Sequence, residues 1–196
     1  EHASLVMVFL TSMAIIPLIY NIIRFEEKKD LSELDERNLL KEHSKALRVF
    51  INYFIGATLA FALLYVLMPS SSVNSMFKIQ TDTLIGLRGH VVGNATSLGQ
   101  IFLDILSNNL KVLIFCILFS FIYGLGAIFI LTWNASVIGV AIGDTIRAGI
   151  AEIGKQFSMA TSINYVSVVT YGLFRYYLHG VVEILAYFVA ALAGGI

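Results

Sequence analysis

The sequence predicts an all-α fold: a polytopic transmembrane helical bundle with an interfacial amphipathic helix and two short or broken helices. Hydrophobic residues make up 58% of the 196 residues and charged residues only 13%, whereas a soluble domain carries roughly 25% charge. The mean hydropathy of the whole chain is +0.82. Long uncharged runs alternate with one charged segment and one segment rich in serine and glycine, a pattern typical of helices that cross a bilayer.

Charge balance and cysteine content narrow the possible functions. The 13 basic and 13 acidic residues cancel, so we expect no nucleic-acid partner. Cys116 is the only cysteine, which excludes an intrachain disulfide and a cysteine-rich metal site. The sequence carries no glycine-rich phosphate loop or haem motif, and we expect no cofactor.

The first region, residues 1–68, is predicted to hold two transmembrane helices. The runs 3–23 and 48–68 are each long enough to cross the hydrocarbon core. The segment between them, 24–47, is dense in acidic and basic residues, and its lysines and arginines place it on the cytoplasmic side. We expect a helix that begins near Leu31 and continues unbroken into the second span.

The second region, residues 69–109, is predicted to be an external loop followed by the interfacial helix. Three serines after Pro69 and four glycines between 86 and 99 are typical of a loop. At the end of the region, apolar side chains fall on one helical face, as expected for a helix lying flat on the membrane; these are Leu98, Ile101, Phe102, Ile105 and Leu106.

The third region, residues 110–196, is predicted to be a helical core with glycine-rich short segments. Its first span is expected over 110–133 and its last over 178–193. Between them, 137–153 and 163–177 are interrupted by glycine and polar residues, and they are either two short crossings or two arms of a re-entrant hairpin. We expect the chain to continue beyond Ile196.

Polar residues of this third region form the candidate site for a ligand, an ion or a partner. His179 and Glu183 are four residues apart and share one helical face. Asp144 and Arg147 are three apart and are expected to pair at the cytoplasmic edge of the bundle. The remaining candidates are Asn134, Asn164 and Arg175, and structural roles are predicted for Gly139, Gly143 and Gly180.

Two readings of the His179 and Glu183 pair stay open. Ionisable groups at or inside a bilayer are costly, which favours a functional site. The pair could instead cap a helix and hydrogen-bond a neighbouring span. As metal ligands they would number two, fewer than the roughly three protein ligands of a catalytic zinc, so the sequence leaves a metal role undecided.

Several of these residues resemble a known family. Residues 102–110 read as an amphipathic turn ending in Asn-Asn-Leu, 121–133 form a glycine-bearing span, and Asn134 is followed by Gly139 and Gly143. With the His-Gly-Val-Val-Glu-Ile stretch at 179–184, the C-terminal half resembles the stage II sporulation protein M family of polytopic membrane proteins. The chain has Ala135 where the family has glycine. The resemblance implies a multi-pass helical protein, and the family's namesake is associated with a peptidoglycan-remodelling complex.

These observations predict a multi-pass protein of the cell membrane that acts as a scaffold or assembly partner. Its expected partners are the lipid bilayer and other membrane proteins, or further copies of itself. The alternative function is a transporter or channel for ions or small solutes that uses the polar residues inside the membrane. We do not expect an enzyme, because no catalytic residue is marked by a motif.

Overall fold

The computed structural model describes residues 2–30, 36–93, 98–120, 125–155, 165–173 and 187, and the regular secondary structure in this part of the chain is entirely α-helical. The all-α class is therefore confirmed. The helices are α1 (His2–Asp30), α2 (Glu36–Leu67), α3 (Ser70–Met76), α4 (Lys78–Gly93), α5 (Leu98–Ser120) and α6 (Leu125–Lys155). A further short helix, α7, covers 165–173.

Three of the described helices are long and apolar enough to cross a membrane. The span His2–Ile22 lies in α1 and the span Leu47–Leu67 in α2, which confirms the first two predicted spans. Helix α2 begins at Glu36 and continues into its span without a break, also as predicted. Residues 31–35, where we expected that helix to begin, lie outside the described residues.

The third span, Ile128–Ile153, corrects the predicted division of the C-terminal region. We predicted a span over 110–133 followed by a separate short segment over 137–153. Instead, helix α6 begins at Leu125, within the predicted span, and continues through Trp133 and the whole of 137–153 without a break. Neighbouring helices bury 56% of its apolar window, so glycines and polar residues that would be unfavourable against lipid are covered by protein. The companion segment 163–177 is described only over 165–173.

The region predicted as an external loop, 69–109, is also largely helical. Pro69 ends α2 and precedes α3, and the Phe77 N–H donates to the Val73 carbonyl at 2.9 Å before α4 begins. Val73, Phe77 and Gln80 are buried, so this part of the chain folds back against the bundle. The proposed interfacial helix is the first part of α5, which continues to Ser120.

Helix α6 is the centre of the bundle. It contacts α1, α2, α4 and α5, and its interface with α2 is the most extensive. The core between these helices is aromatic and aliphatic, and its fully buried members include Phe50, Phe77, Ile128, Leu131 and Val140. A bundle held this way keeps the polar atoms of α6 away from lipid.

Candidate functional site

Helices α2 and α6 lie side by side in the same direction. The Tyr53 hydroxyl lies 2.7 Å from Thr132 Oγ1, near the start of both spans. At the other end, the Arg147 guanidinium donates to the Met68 carbonyl oxygen at 2.8 Å. Both pairs are separated by 79 residues, so the two helices keep one register along this length.

Two glycines of α6 allow this close approach. A Cβ atom at Gly139 would lie 2.7 Å from Phe61 Cβ and 2.9 Å from the Thr58 carbonyl oxygen. At Gly143, one turn further on, it would lie 2.9 Å from Tyr65 Cβ. Because the Thr58 oxygen belongs to the helix backbone, it has little room to move. Small residues that let helix backbones approach are characteristic of membrane helix pairs.

Arg147 lies at the end of the bundle opposite the charged segment 24–47. Its guanidinium holds the carbonyl of Met68, just past the last turn of α2, and lies 5.7 Å from the centre of the Tyr65 ring. A cation is favourable at this negative end of the helix dipole, and the aromatic face adds a further attraction. The expected placement of Arg147 on the same side as 24–47 is therefore wrong, because α6 crosses the bundle in the direction of α2. Asp144, three residues earlier, is half-buried.

Asn134 is engaged within its own helix. Its side-chain Nδ2 donates to the Ile130 carbonyl at 2.8 Å, which satisfies an amide donor inside the span. The structure therefore gives this side chain a partner within its own helix.

The other predicted site residues lie outside the described part of the chain: Asn164, Arg175, His179, Gly180 and Glu183. Beyond α7, the structure describes only Tyr187, which is buried in the core with residues of α1, α2 and α6. Helix α7 also packs on α6, where Val168 contacts Gly149 and Gly172 lies against Ile146.

Two pairs of hydrogen-bonded polar side chains between helices were missed by the sequence analysis. Thr132 Oγ1 donates to the Ile128 carbonyl, so the Tyr53 hydroxyl donates to Thr132. One turn further along α6, Ser136 Oγ donates to the Trp133 carbonyl at 2.7 Å and accepts from Gln80 Nε2 at 3.3 Å. The signal for Gln80 was available, because Val73, Phe77 and Gln80 recur at helical spacing in a segment assigned to a loop.

Within the described residues, no group of three or more His, Cys, Asp or Glu side chains is arranged to hold a metal ion. The polar groups at the centre of the bundle are hydroxyls and an amide, which hydrogen-bond rather than ionise.

Comparison with protein-family models, with curated proteins and with solved structures gave no match.

Proposed function

We propose that this protein is a membrane scaffold or assembly partner, of the type that the sequence resemblance to the stage II sporulation protein M family implies. The strongest support comes from the hydrogen bonds that two of the described candidate site residues make. Arg147 ties α6 to α2, and Asn134 bonds within α6. Side chains engaged in this way build a rigid support rather than a site that exchanges substrate.

Helix α5 supplies the surface for assembly. Among the α5 side chains that the structure describes, Val112 and Leu113 pack on the core, while several large apolar side chains are exposed. These are Leu103, Leu106, Leu110, Ile114, Phe115, Ile117, Leu118 and Phe119. A helix that exposes this many large apolar side chains has room for a partner helix on that surface, where lipid is the competing neighbour.

Site-specific photocrosslinking in native membranes tests this proposal. A photoreactive residue at Ile114 of α5, 47% exposed, is compared with one at Leu63 of α2, 58% exposed. We expect a discrete protein adduct from Ile114 and only lipid adducts from Leu63. Lipid adducts alone at both positions, repeated at Phe115 and Leu118, would refute a scaffold that assembles through α5.

A transporter or channel is the second candidate, and the buried polar pairs inside the bundle favour it. Gln80 and Ser136 lie about 12 Å into the span that begins at Ile128, at 1.5 Å per residue. Polar groups at this depth are often part of a pathway. Flux of ions or small solutes into proteoliposomes, reduced by Ser136→Ala and unchanged by Ser75→Ala on the exposed part of α3, would favour transport over the scaffold.

A further inference from the structure

Helix α7 lies on one flank of the pair formed by α2 and α6, and its contacts give its direction. Val168 of α7 contacts Gly149 of α6. One turn later on α7, a Cβ atom at Gly172 would lie 3.0 Å from the Ile146 side chain of α6. The contacts move towards the start of α6 as α7 advances, so the two helices are antiparallel. Leu173, at the end of α7, packs on the buried cluster that α2 and α6 share.

The groove that α7 enters continues past Leu173. On α2, Thr58 lies one turn before Ala62, a member of the cluster on this flank. Thr58 is only 8% exposed, yet its hydroxyl has no hydrogen-bond partner among the described residues. Buried polar side chains are rarely left unpaired, so this wall of the groove fits an occupant that carries polar groups. We call this surface the α2–α6 groove; it is lined by Thr58 and Ala62 of α2 and by Leu131, Ala135, Ile138, Ile142 and Ile146 of α6.

The next described residue, Tyr187, indicates where the chain goes. Tyr187 is helical and buried, and it belongs to the same core cluster as Leu131. Tyr187 follows Gly172 by 15 residues, and Leu131 precedes Ile146 by 15 residues. A helix that continues antiparallel to α6 therefore brings Tyr187 to the level of Leu131. Because 15 residues are about four turns at 3.6 residues per turn, Tyr187 also returns to the face that carries Gly172.

We propose that residues 174–186 continue α7 as a helix that docks in the α2–α6 groove, antiparallel to α6. His179 and Glu183 follow Gly172 by 7 and 11 residues, which are about two and three turns, so both lie on the docked face. They reach the part of the groove that contains Thr58, whose hydroxyl gains a polar partner. Ionisable groups within a membrane usually face the bundle interior and pair there. The docking is independent of the scaffold function, because the occupant belongs to the chain itself.

Disulfide formation between engineered cysteines tests this docking in the full chain, with Cys116→Ser removing the native thiol. Glu183→Cys is combined with Ala135→Cys, which lies at the same level of the groove. In the matched control, Leu185→Cys replaces Glu183→Cys, because Leu185 is two residues further on and on the opposite helical face. After oxidation in native membranes, a maleimide–polyethylene glycol reagent adds mass to each thiol that remains free. We expect a disulfide with Glu183→Cys, because the facing Cα atoms must lie within about 7 Å of each other, and two free thiols with Leu185→Cys.

A second pair probes the beginning of the docked segment. Ile142→Cys and Tyr176→Cys lie at one level, and we expect them to form a disulfide as well. A disulfide here without one between Ala135→Cys and Glu183→Cys would mean that the chain turns back, as a re-entrant arm does. That result would overturn the proposal, and so would free thiols at both levels.

Equal disulfide formation by Glu183→Cys and Leu185→Cys would also overturn it, because residues two apart share a face in an extended chain and not in a helix. Size-exclusion chromatography in detergent first shows which variants fold. Where Ala135→Cys does not fold, Ile138→Cys with Gly180→Cys takes its place, and Leu178→Cys is the control on the opposite face. The readout involves no partner protein, so it is separate from the photocrosslinking test of α5.

Discussion

Helices α1 and α6 are both long enough to cross a membrane, yet they meet very different surroundings. The span in α1 has a mean hydropathy of 2.1 and is 22% buried, whereas the span in α6 has a mean hydropathy of 1.4 and is 56% buried. The less apolar helix is therefore the more central one. Lipid tails are as apolar as leucine, so high hydropathy marks contact with lipid, and glycines and hydroxyls mark contact between helices.

The two helices also differ in how often their small polar residues join other helices. On α1, Thr11 and Ser12 donate to carbonyls of their own helix, and Ser4 accepts from the Ile79 N–H of α4 at 3.4 Å. On α6, Thr132 and Ser136 accept hydrogen bonds from α2 and α4, and Gly139 lies against the backbone of α2. Polar and small residues on α6 therefore join helices, which explains why a span with low hydropathy is stable at the centre of the bundle.

The largest effect is expected from enlarging the glycine at this contact. Gly139→Leu puts side-chain atoms where the Phe61 Cβ and the Thr58 backbone lie within 3 Å, so α2 and α6 must separate and little folded protein should be recovered from detergent. Gly56→Leu is the matched control, because a Cβ there has nothing within 4 Å. Fluorescence-detected size-exclusion chromatography measures both. Equal monodisperse peaks for the two variants would contradict the close α2–α6 contact.

Truncating one leucine on each helix tests the contrast in burial. Leu131→Ala on α6 empties a fully buried position, while Leu10→Ala on α1 shortens a side chain that is 61% exposed. We expect Leu131→Ala to lower the free energy of unfolding by about 3 kcal/mol and Leu10→Ala to lower it by less than about 0.5 kcal/mol. Unfolding in mixed micelles with increasing SDS gives both values, and similar losses at the two positions would show that α6 is no more central than α1.

Removing the guanidinium that joins α6 to the end of α2 should have a smaller effect. Arg147→Met loses the bond to the Met68 carbonyl and the contact with the Tyr65 ring, with an expected cost of about 2 kcal/mol. Arg48→Met is the control, since Arg48 is exposed and its bond, 3.5 Å to the Ser44 carbonyl, stays within its own helix. The same SDS titration applies, and an Arg147→Met variant as stable as Arg48→Met would rule out a stabilising role for the guanidinium.

The smallest effect is expected at the hydroxyl pair near the start of the spans. Tyr53→Phe removes the donor to Thr132 Oγ1 but leaves Thr132 bonded to the Ile128 carbonyl, so the loss should be about 0.6 kcal/mol. Tyr165→Phe, at an exposed position of α7, is the control. A double-mutant cycle with Thr132→Val isolates the pair, and a coupling energy of zero would mean that this bond does not help to align the helices.

Part of this fold could be predicted from the sequence, because some of its signals are local. The spans in α1 and α2 and the end of α2 at Pro69 follow from apolar runs and from proline chemistry. The continuity of α6 could not be predicted, since glycines at 139 and 143 weaken a helix in isolation, and their close contact with α2 is not visible in the sequence. The folding of 70–80 into the bundle was missed because the three serines after Pro69 are typical of a loop. The helical spacing of Val73, Phe77 and Gln80 in the same segment was not considered.

The candidate site was predicted by residue type but not by role. Arg147 and Asn134 were identified because polar groups are conspicuous in an apolar run. Their partners, Met68 and Ile130, are backbone carbonyls, which are present at every residue and therefore give no sequence signal. Gln80 was overlooked because the segment that carries it was assigned to the exterior.

The shared direction of α2 and α6 has a topological consequence, which follows from counting crossings. Two consecutive spans of a hairpin run in opposite directions. Here, α2 ends beside Arg147 of α6, and Tyr53, near the start of the α2 span, lies beside Thr132, near the start of the α6 span. The chain between Met68 and Leu125 must therefore travel back across the whole bundle. Four residues separate the end of α5 from the start of α6. The 23 residues of α5 rise about 34 Å, which is longer than a hydrocarbon core of about 30 Å. The number of times that the chain crosses is thus decided between Met68 and Leu125, where the described residues include one shorter apolar helix, Asn109–Phe119.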